Sequence, residues 1–225
     1  MTKDAPAYPP EAPKDCPLCP RLVAFRRANQ EKYPDYFNGA VPSFVPEGGE
    51  ESTELLVVGL APGIQGANRT GRPFTGDYAG DLLYSTLTTF GFTAGTFDAR
   101  PDDGFRLKRA MVTNAVRCVP PENKPVGAEA NACRPFLVSR MESLPRLKVI
   151  ISLGKISHDN TVRALGGRLS AHPFGHNADY QIETGHGPVT LLSSYHCSRY
   201  NTNTGRLTES MFHDVFGRAA ALCDQ

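Results

Sequence analysis

Four short runs rich in Leu, Val and Ile, each separated from the next by a segment with helical spacing, constrain this chain more than anything else in it. They are "ELLVVGL" (54–60), "RAMVTNAV" (109–116), "LKVIISLG" (147–154) and "GPVTLLSSYH" (187–196). A run that is apolar at nearly every position suits a strand covered on both faces, as in a parallel sheet. Parallel strands need long crossovers, and the helix-like segments 79–90 (stopped by Gly91), 128–144, 156–165 and 208–222 supply helices on both faces. The expected fold is therefore α/β: a doubly wound parallel sheet between two helical layers. With 225 residues, 40% of them hydrophobic, the chain can bury one sizeable core, and a single domain over 16–225 is expected. Residues 1–15 are rich in Pro, Ala and charge without periodicity and read as a mobile arm. "RLVAFRRANQEKY" then forms a helix that Pro34 stops.

No stretch approaches the ~18–20 consecutive apolar residues of a membrane span, and the first residues lack the apolar centre of a secretory signal. A soluble, cytoplasmic protein with no membrane partner is expected. Lys plus Arg number 24 against 23 Asp plus Glu, so any contact with a polyanion must come from local clustering rather than global charge. In a reducing compartment six cysteines are read first as metal or catalytic groups, not as disulfides.

Cys16 and Cys19 form "CPLC", and Cys118 and Cys133 follow the second apolar run. A CxxC turn offers two thiolates, and two more from a distant segment complete a four-Cys site that would clip the arm to the body. An iron–sulfur cluster, a structural zinc ion and a set of unrelated buried or redox thiols all fit this spacing. Cys223, in an apolar helix, reads as a small buried hydrophobe.

Ligands of such sheets bind beyond the carboxyl ends of the strands, and the unusual sequences lie there. They are "GLAPGIQGANRTGRPFTGD" (59–77), "NAVRCVPPENKP" (114–125) and "SYHCSRYNTNTG" (194–205). "GLAPG" fits a ligand loop and a plain Gly-rich turn equally. It is neither a dinucleotide fingerprint nor a phosphate-binding P-loop. Phe74 suits the core as well as a site, and Asp77 suits a helix N-cap as well as catalysis. His158, His172, His176, His186 and His213 read as surface or structural.

Together "GLAPG", "NRTGRPFTGD", "TNAVRC", "SYHCSRYNTNTGRLT" and the four cysteines resemble the uracil-DNA glycosylase superfamily, most of all its iron–sulfur-containing family 5 (type B) enzymes. The likeness runs from Cys16 to Val215 in the same order. It implies a three-layer α/β/α sandwich around a four-stranded parallel sheet, and an enzyme that flips a deaminated base out of damaged DNA and hydrolyses its glycosidic bond; a monomer is expected, and a monofunctional one, because no suitably placed lysine nucleophile is evident for a Schiff base. Phe74 would stack on the base, Asn114 bond its edge, and His196 donate to the O2 that gains charge. Asp77 would position water or stabilise the cationic sugar, and Gly59, Ala61 and Gly63 would line the base pocket. Ser198, Arg199, Tyr200, Asn201 and Thr202 would meet the DNA, with Arg69, Arg72 and Arg206 as further contacts. Cys16, Cys19, Cys118 and Cys133 would hold a structural 4Fe–4S cluster.

Three departures matter. Ala61 stands where well-known members carry Asp or Asn, and Leu60 where another iron–sulfur family carries Glu. Both are typical of family 5, whose base is an Asp matching Asp77 and whose substrates extend to hypoxanthine and xanthine. Cys197 occupies the place of a common proline. A uracil-DNA binding module with little hydrolysis, and a thiolate–metal protein with another partner, are the alternatives.

Overall fold

The computed structural model describes residues 8–225. In chain order it contains α1 (Pro20–Lys32), β1 (Leu55–Gly59), the single turn α2 (Ala67–Thr70), α3 (Tyr78–Thr89) and the two-residue strands β2 (Thr93–Ala94) and β3 (Arg106–Leu107). There follow β4 (Ala110–Asn114), α4 (Gly127–Glu142), β5 (Val149–Leu153), α5 (Lys155–Ala164), β6 (Asp179–Thr184), β7 (Gly187–Ser194), α6 (Arg199–Asn203) and α7 (Glu209–Cys223).

The four apolar runs become β1, β4, β5 and β7, parallel neighbours in the order β4-β1-β5-β7. Every residue of β1, β4 and β5 is buried, which is why their sequences do not alternate. Along β1, Leu55 and Val57 join the core beneath α3 and α7, while Leu56 and Val58 join the core beneath α4 and α5. Each such aliphatic side chain, fully buried, stabilises the fold by about 1.5–3 kcal/mol. The crossover helices end where the sequence permits. Gly91, at φ 78°, follows α3, and Thr208 opens α7 by accepting the Met211 amide at 3.2 Å.

The sheet has five strands rather than the expected four. β6 pairs antiparallel with β7 at the edge. Its sequence, "DYQIET", buries only Ile182, so an edge strand with one face in solvent leaves no apolar run to detect.

Of the arm expected at 1–15, residues 1–7 lie outside the described residues. The Glu11 carboxylate lies against the buried guanidinium groups of Arg117 (3.1 Å) and Arg140 (2.5 Å), and Ser139 donates to the Tyr8 carbonyl at 2.5 Å. No helix among the described residues is long and apolar enough to cross a membrane.

β1 has β4 on one side and β5 on the other, so the chain leaves the carboxyl ends of these strands in diverging directions. The crevice that results is where this architecture accepts ligands.

Candidate functional site

The carboxyl ends of β1 and β4 meet at Gly59 and Asn114, which lie in register. Gly59 lacks a side chain for a physical reason: a Cβ there would stand 2.6 Å from Cζ of Phe74 and would collide with Oδ1 of Asn114. The aromatic face and the amide thus converge over bare backbone. Asn114 is 3% exposed, and among the described residues no hydrogen bond engages its side chain. With no protein partner, this amide is available to bond a ligand in the crevice.

Phe74 is buried and held in left-handed backbone at φ 51°, a strained conformation for a bulky residue. The surrounding turn is over-determined. Arg72 bonds both oxygens of Asp103, at 2.9 and 2.7 Å, and the Thr75 hydroxyl at 2.8 Å. Against the burial that would raise it, Arg72 and the amides of Asp98 and Phe105 hold the Asp103 carboxyl well below the usual range. Tyr84 donates to the Pro73 carbonyl at 2.5 Å, and Gly80 leaves room for the Phe74 carbonyl. Arg72 is therefore a buried strut for Phe74, not a free cation facing DNA, which corrects its reading as a DNA contact.

Asp77 precedes α3 at the N-cap position, but its side chain makes no capping hydrogen bond. Oδ1 is buried without a partner. Burial raises the pKa, and the nearby amides of Gly80 and Ala79 only partly offset this. The space for the carboxylate comes from Gly63 and Gly66: a Cβ on Gly63 would lie 3.4 Å from Oδ2, and one on Gly66 would overlap it. Asn123, which the sequence did not single out, brings its Oδ1 to within 3.9 Å of that same point over Gly63 and is in left-handed backbone (φ 56°). The "PEN" turn carried that signal, since Asn tolerates this conformation. Ala61, in the same loop, is partly buried against the cluster of Leu22, Val116 and Ala130.

The third wall comes from the loop after β7. The His196 ring lies 6.0 Å from that of Phe74, inclined by 26°. Desolvation pushes its pKa down to about 4, so the imidazole is neutral at physiological pH. Its backbone is fixed by Asn201, whose amide donates to the His196 carbonyl at 2.8 Å and is thereby engaged inward. Cys197 is fully buried, with Sγ 3.4 Å from the Ala79 carbonyl. It ties this loop to α3 and has no part in a metal pair with His196. Ser198 caps α6, accepting the Asn201 amide at 3.4 Å. Arg199 lies over the Tyr78 ring at 5.1 Å, Thr202 donates to the Tyr78 hydroxyl at 3.2 Å, and Tyr200 is 72% exposed. Arg206 stacks on Tyr195 at 4.7 Å, and Arg69 is exposed beside Gly76.

The four predicted cysteine ligands come together. Cys16 and Cys19 before α1, Cys118 after β4 and Cys133 in α4 line one pocket with Leu18, Leu22, Val116 and Phe136. The Arg117 amide donates to Cys133 Sγ at 3.4 Å. Burial and then the neighbouring thiols push Cys118 up to about 12 and Cys19 up to about 11. Among the described residues no group of three or more His, Cys, Asp or Glu is arranged to hold a single metal ion. Cys223 is buried in α7, as expected.

Comparison with known proteins bears on this arrangement. The family model of the Uracil DNA glycosylase superfamily matches residues 45–219. The chain is similar to a type-5 uracil-DNA glycosylase of Thermus thermophilus, with 42% identity over 92% of this chain and 93% of the relative. Type-5 uracil-DNA glycosylases of Mycobacterium bovis and Pyrobaculum aerophilum are 37% and 34% identical, each over 92% of this chain and over 78% and 88% of the relative. With the matching segment spanning the whole sheet and all three loops of the crevice, the chain belongs to the uracil DNA glycosylase superfamily.

Proposed function

We propose that this protein is a DNA-repair glycosylase that takes uracil out of the base stack and hydrolyses its N-glycosidic bond. One observation carries the reading. An aromatic face and a buried amide meet over Gly59, a neutral imidazole lies 6.0 Å from that aromatic ring, and a partnerless carboxylate occupies the space left by Gly63 and Gly66 of the same loop. Each meets one demand of the reaction. The extruded base stacks on Phe74, and Asn114 satisfies its amide on the base edge. As the bond between the base nitrogen and C1′ breaks, both its electrons leave with the base and negative charge gathers on O2. A ring N–H of His196 donates to that oxygen. A neutral donor suits this task, since it stabilises the developing anion with no proton transfer. Positive charge gathers on the sugar. Asp77 stabilises it and takes a proton from the water whose oxygen bonds to C1′. The base anion takes up a proton from solvent and Asp77 gives its own back to solvent, so the products are the free base and an intact strand with an abasic site. Lys155, in the cleft beside His196, is paired with Asp159 at 2.6 Å, which favours hydrolysis over a lysine-bound intermediate.

Deaminated purines, hypoxanthine and xanthine, are further proposed substrates. Ala61 adds no polar group to the pocket and packs toward Leu22, so nothing at that position selects the uracil edge. Arg199 and the exposed Tyr200 enter the duplex, with Arg69 and Arg206 beside phosphates.

Cys16, Cys19, Cys118 and Cys133 fit a 4Fe–4S cluster. All four are thiols on one apolar pocket, and an amide already points at a sulfur. An iron–sulfur cluster of this kind takes four such thiolates as its ligands. Its contribution is structural, joining the segment before α1 to α4 and the end of β4.

Base release from duplexes carrying one uracil or one hypoxanthine tests the reading. Asp77→Ala and His196→Ala should each lower the single-turnover rate about 10²–10³-fold. Equal release by Asp77→Ala and the unsubstituted protein would overturn the mechanism. Tight binding without release would show a binding module instead.

A further inference from the structure

We infer that His176 is a positioning residue that aims His196 at the base, a role that rests on the glycosylase reading above. The antiparallel ladder between β6 and β7 continues past β6 without regular structure. Ser193 donates to the Ala178 carbonyl at 3.0 Å, and Asn177 donates to the Ser193 carbonyl at 2.7 Å. The next inward amide of the β7 strand line is that of Tyr195, and no backbone carbonyl accepts it. It donates instead to Nδ1 of His176, at 3.2 Å. A side chain thus extends the ladder to the residue immediately before His196.

The same imidazole stacks on the Tyr195 ring, with centroids 5.0 Å apart and planes 18° from parallel. The Arg206 guanidinium lies over that ring at 4.7 Å, and Phe174 tilts against it at 6.0 Å. Tyr195 is therefore fixed at both its amide and its ring. The chain leaves the sheet at this residue, so a small rotation of its peptide swings the His196 ring through a much larger arc. Misplacement of a donor by about 1 Å can cost as much as 10²-fold in rate. Only an imidazole with a free lone pair on Nδ1 accepts this hydrogen bond, and desolvation keeps the His176 pKa low, which favours that form.

Two substitutions separate positioning from plain support. His176→Leu keeps bulk but removes the acceptor. It is expected to slow single-turnover uracil release about tenfold while duplex affinity stays within about twofold. His176→Asn, whose side-chain oxygen can take the Tyr195 amide, is expected to restore the rate to within about threefold of the unsubstituted protein. In a His196→Ala background, His176→Leu should have no further effect, because the group it aims is gone. Two results would overturn the role: an equal loss in both backgrounds, or a loss that follows melting temperature and is not rescued by Asn. Absence of base release by the unsubstituted protein overturns the glycosylase reading and this role with it.

Discussion

At the scale of single residues, the proposed site contains a carboxylate left unsatisfied in the free protein. Asp77 shows what this costs. Its carboxylate is desolvated, one oxygen has no partner, and its pKa is raised above the ordinary 3.8. The sign follows from linkage. Above the folded-state pKa the native protein holds a charge that the unfolded chain holds more comfortably, so ionised Asp77 lowers stability. Asp77→Asn is accordingly expected to raise the melting temperature near pH 7 by about 2–4 °C for each kcal/mol relieved, while lowering base release about 10²–10³-fold. That gain should shrink as pH falls and vanish below the unfolded-state pKa of 3.8, where the carboxyl is protonated in both states. Melting curves of the two proteins across pH check it. A variant less stable at pH 7 would mean that the carboxylate is supported by hydrogen bonds rather than strained.

At the scale of elements, the turn between α2 and α3 holds Phe74 in a conformation that it would not adopt alone. The strut is the pair Arg72–Asp103, whose side chains are 8% and 0% exposed. Breaking a buried pair from one side strands the other charge, at a cost of about 3–5 kcal/mol. Asp103→Ala should lose stability on that scale in urea unfolding, with Phe74 released and base affinity lowered. A loss below about 1 kcal/mol would place the pair among ordinary surface bridges. Nothing local in "RPFT" announced this role for Arg72, because its partner lies 31 residues away. The same limit explains β6, whose polar edge sequence resembles a loop. β1, β4, β5 and β7 were legible because full burial on two faces leaves an apolar run, and their crossover helices because caps and glycine stops are local signals. Phe74, Asp77, Asn114 and His196 were recognisable as types at strand ends. Gly66, Asn123 and His176 were not, since each matters only through what packs on it.

At the scale of the whole molecule, the cysteine pocket and the proposed base pocket share a wall. Ala61, in the loop that carries Gly59 and Gly63, packs against Leu22, Val116 and Ala130, and the Val116 amide bonds the Leu60 carbonyl at 3.0 Å. Cys118 lies two residues beyond Val116, and Leu22 lines both the cysteine pocket and that packing. The four thiols, proposed to clip the N-terminal segment to the body of the domain, therefore also back the loop that carries Gly59 and Gly63. Cys118→Ser should lose iron and the absorbance near 400 nm that marks a cluster. Hydrogen exchange should then quicken over residues 16–33 and also over 59–66, while α7, in the core of the opposite layer, keeps its protection. Base release should fall even at temperatures where the rest of the fold persists. Faster exchange confined to 16–33, with release unchanged, would show that the thiols serve only the N-terminal segment and that the base pocket is held by β1 and β4 alone.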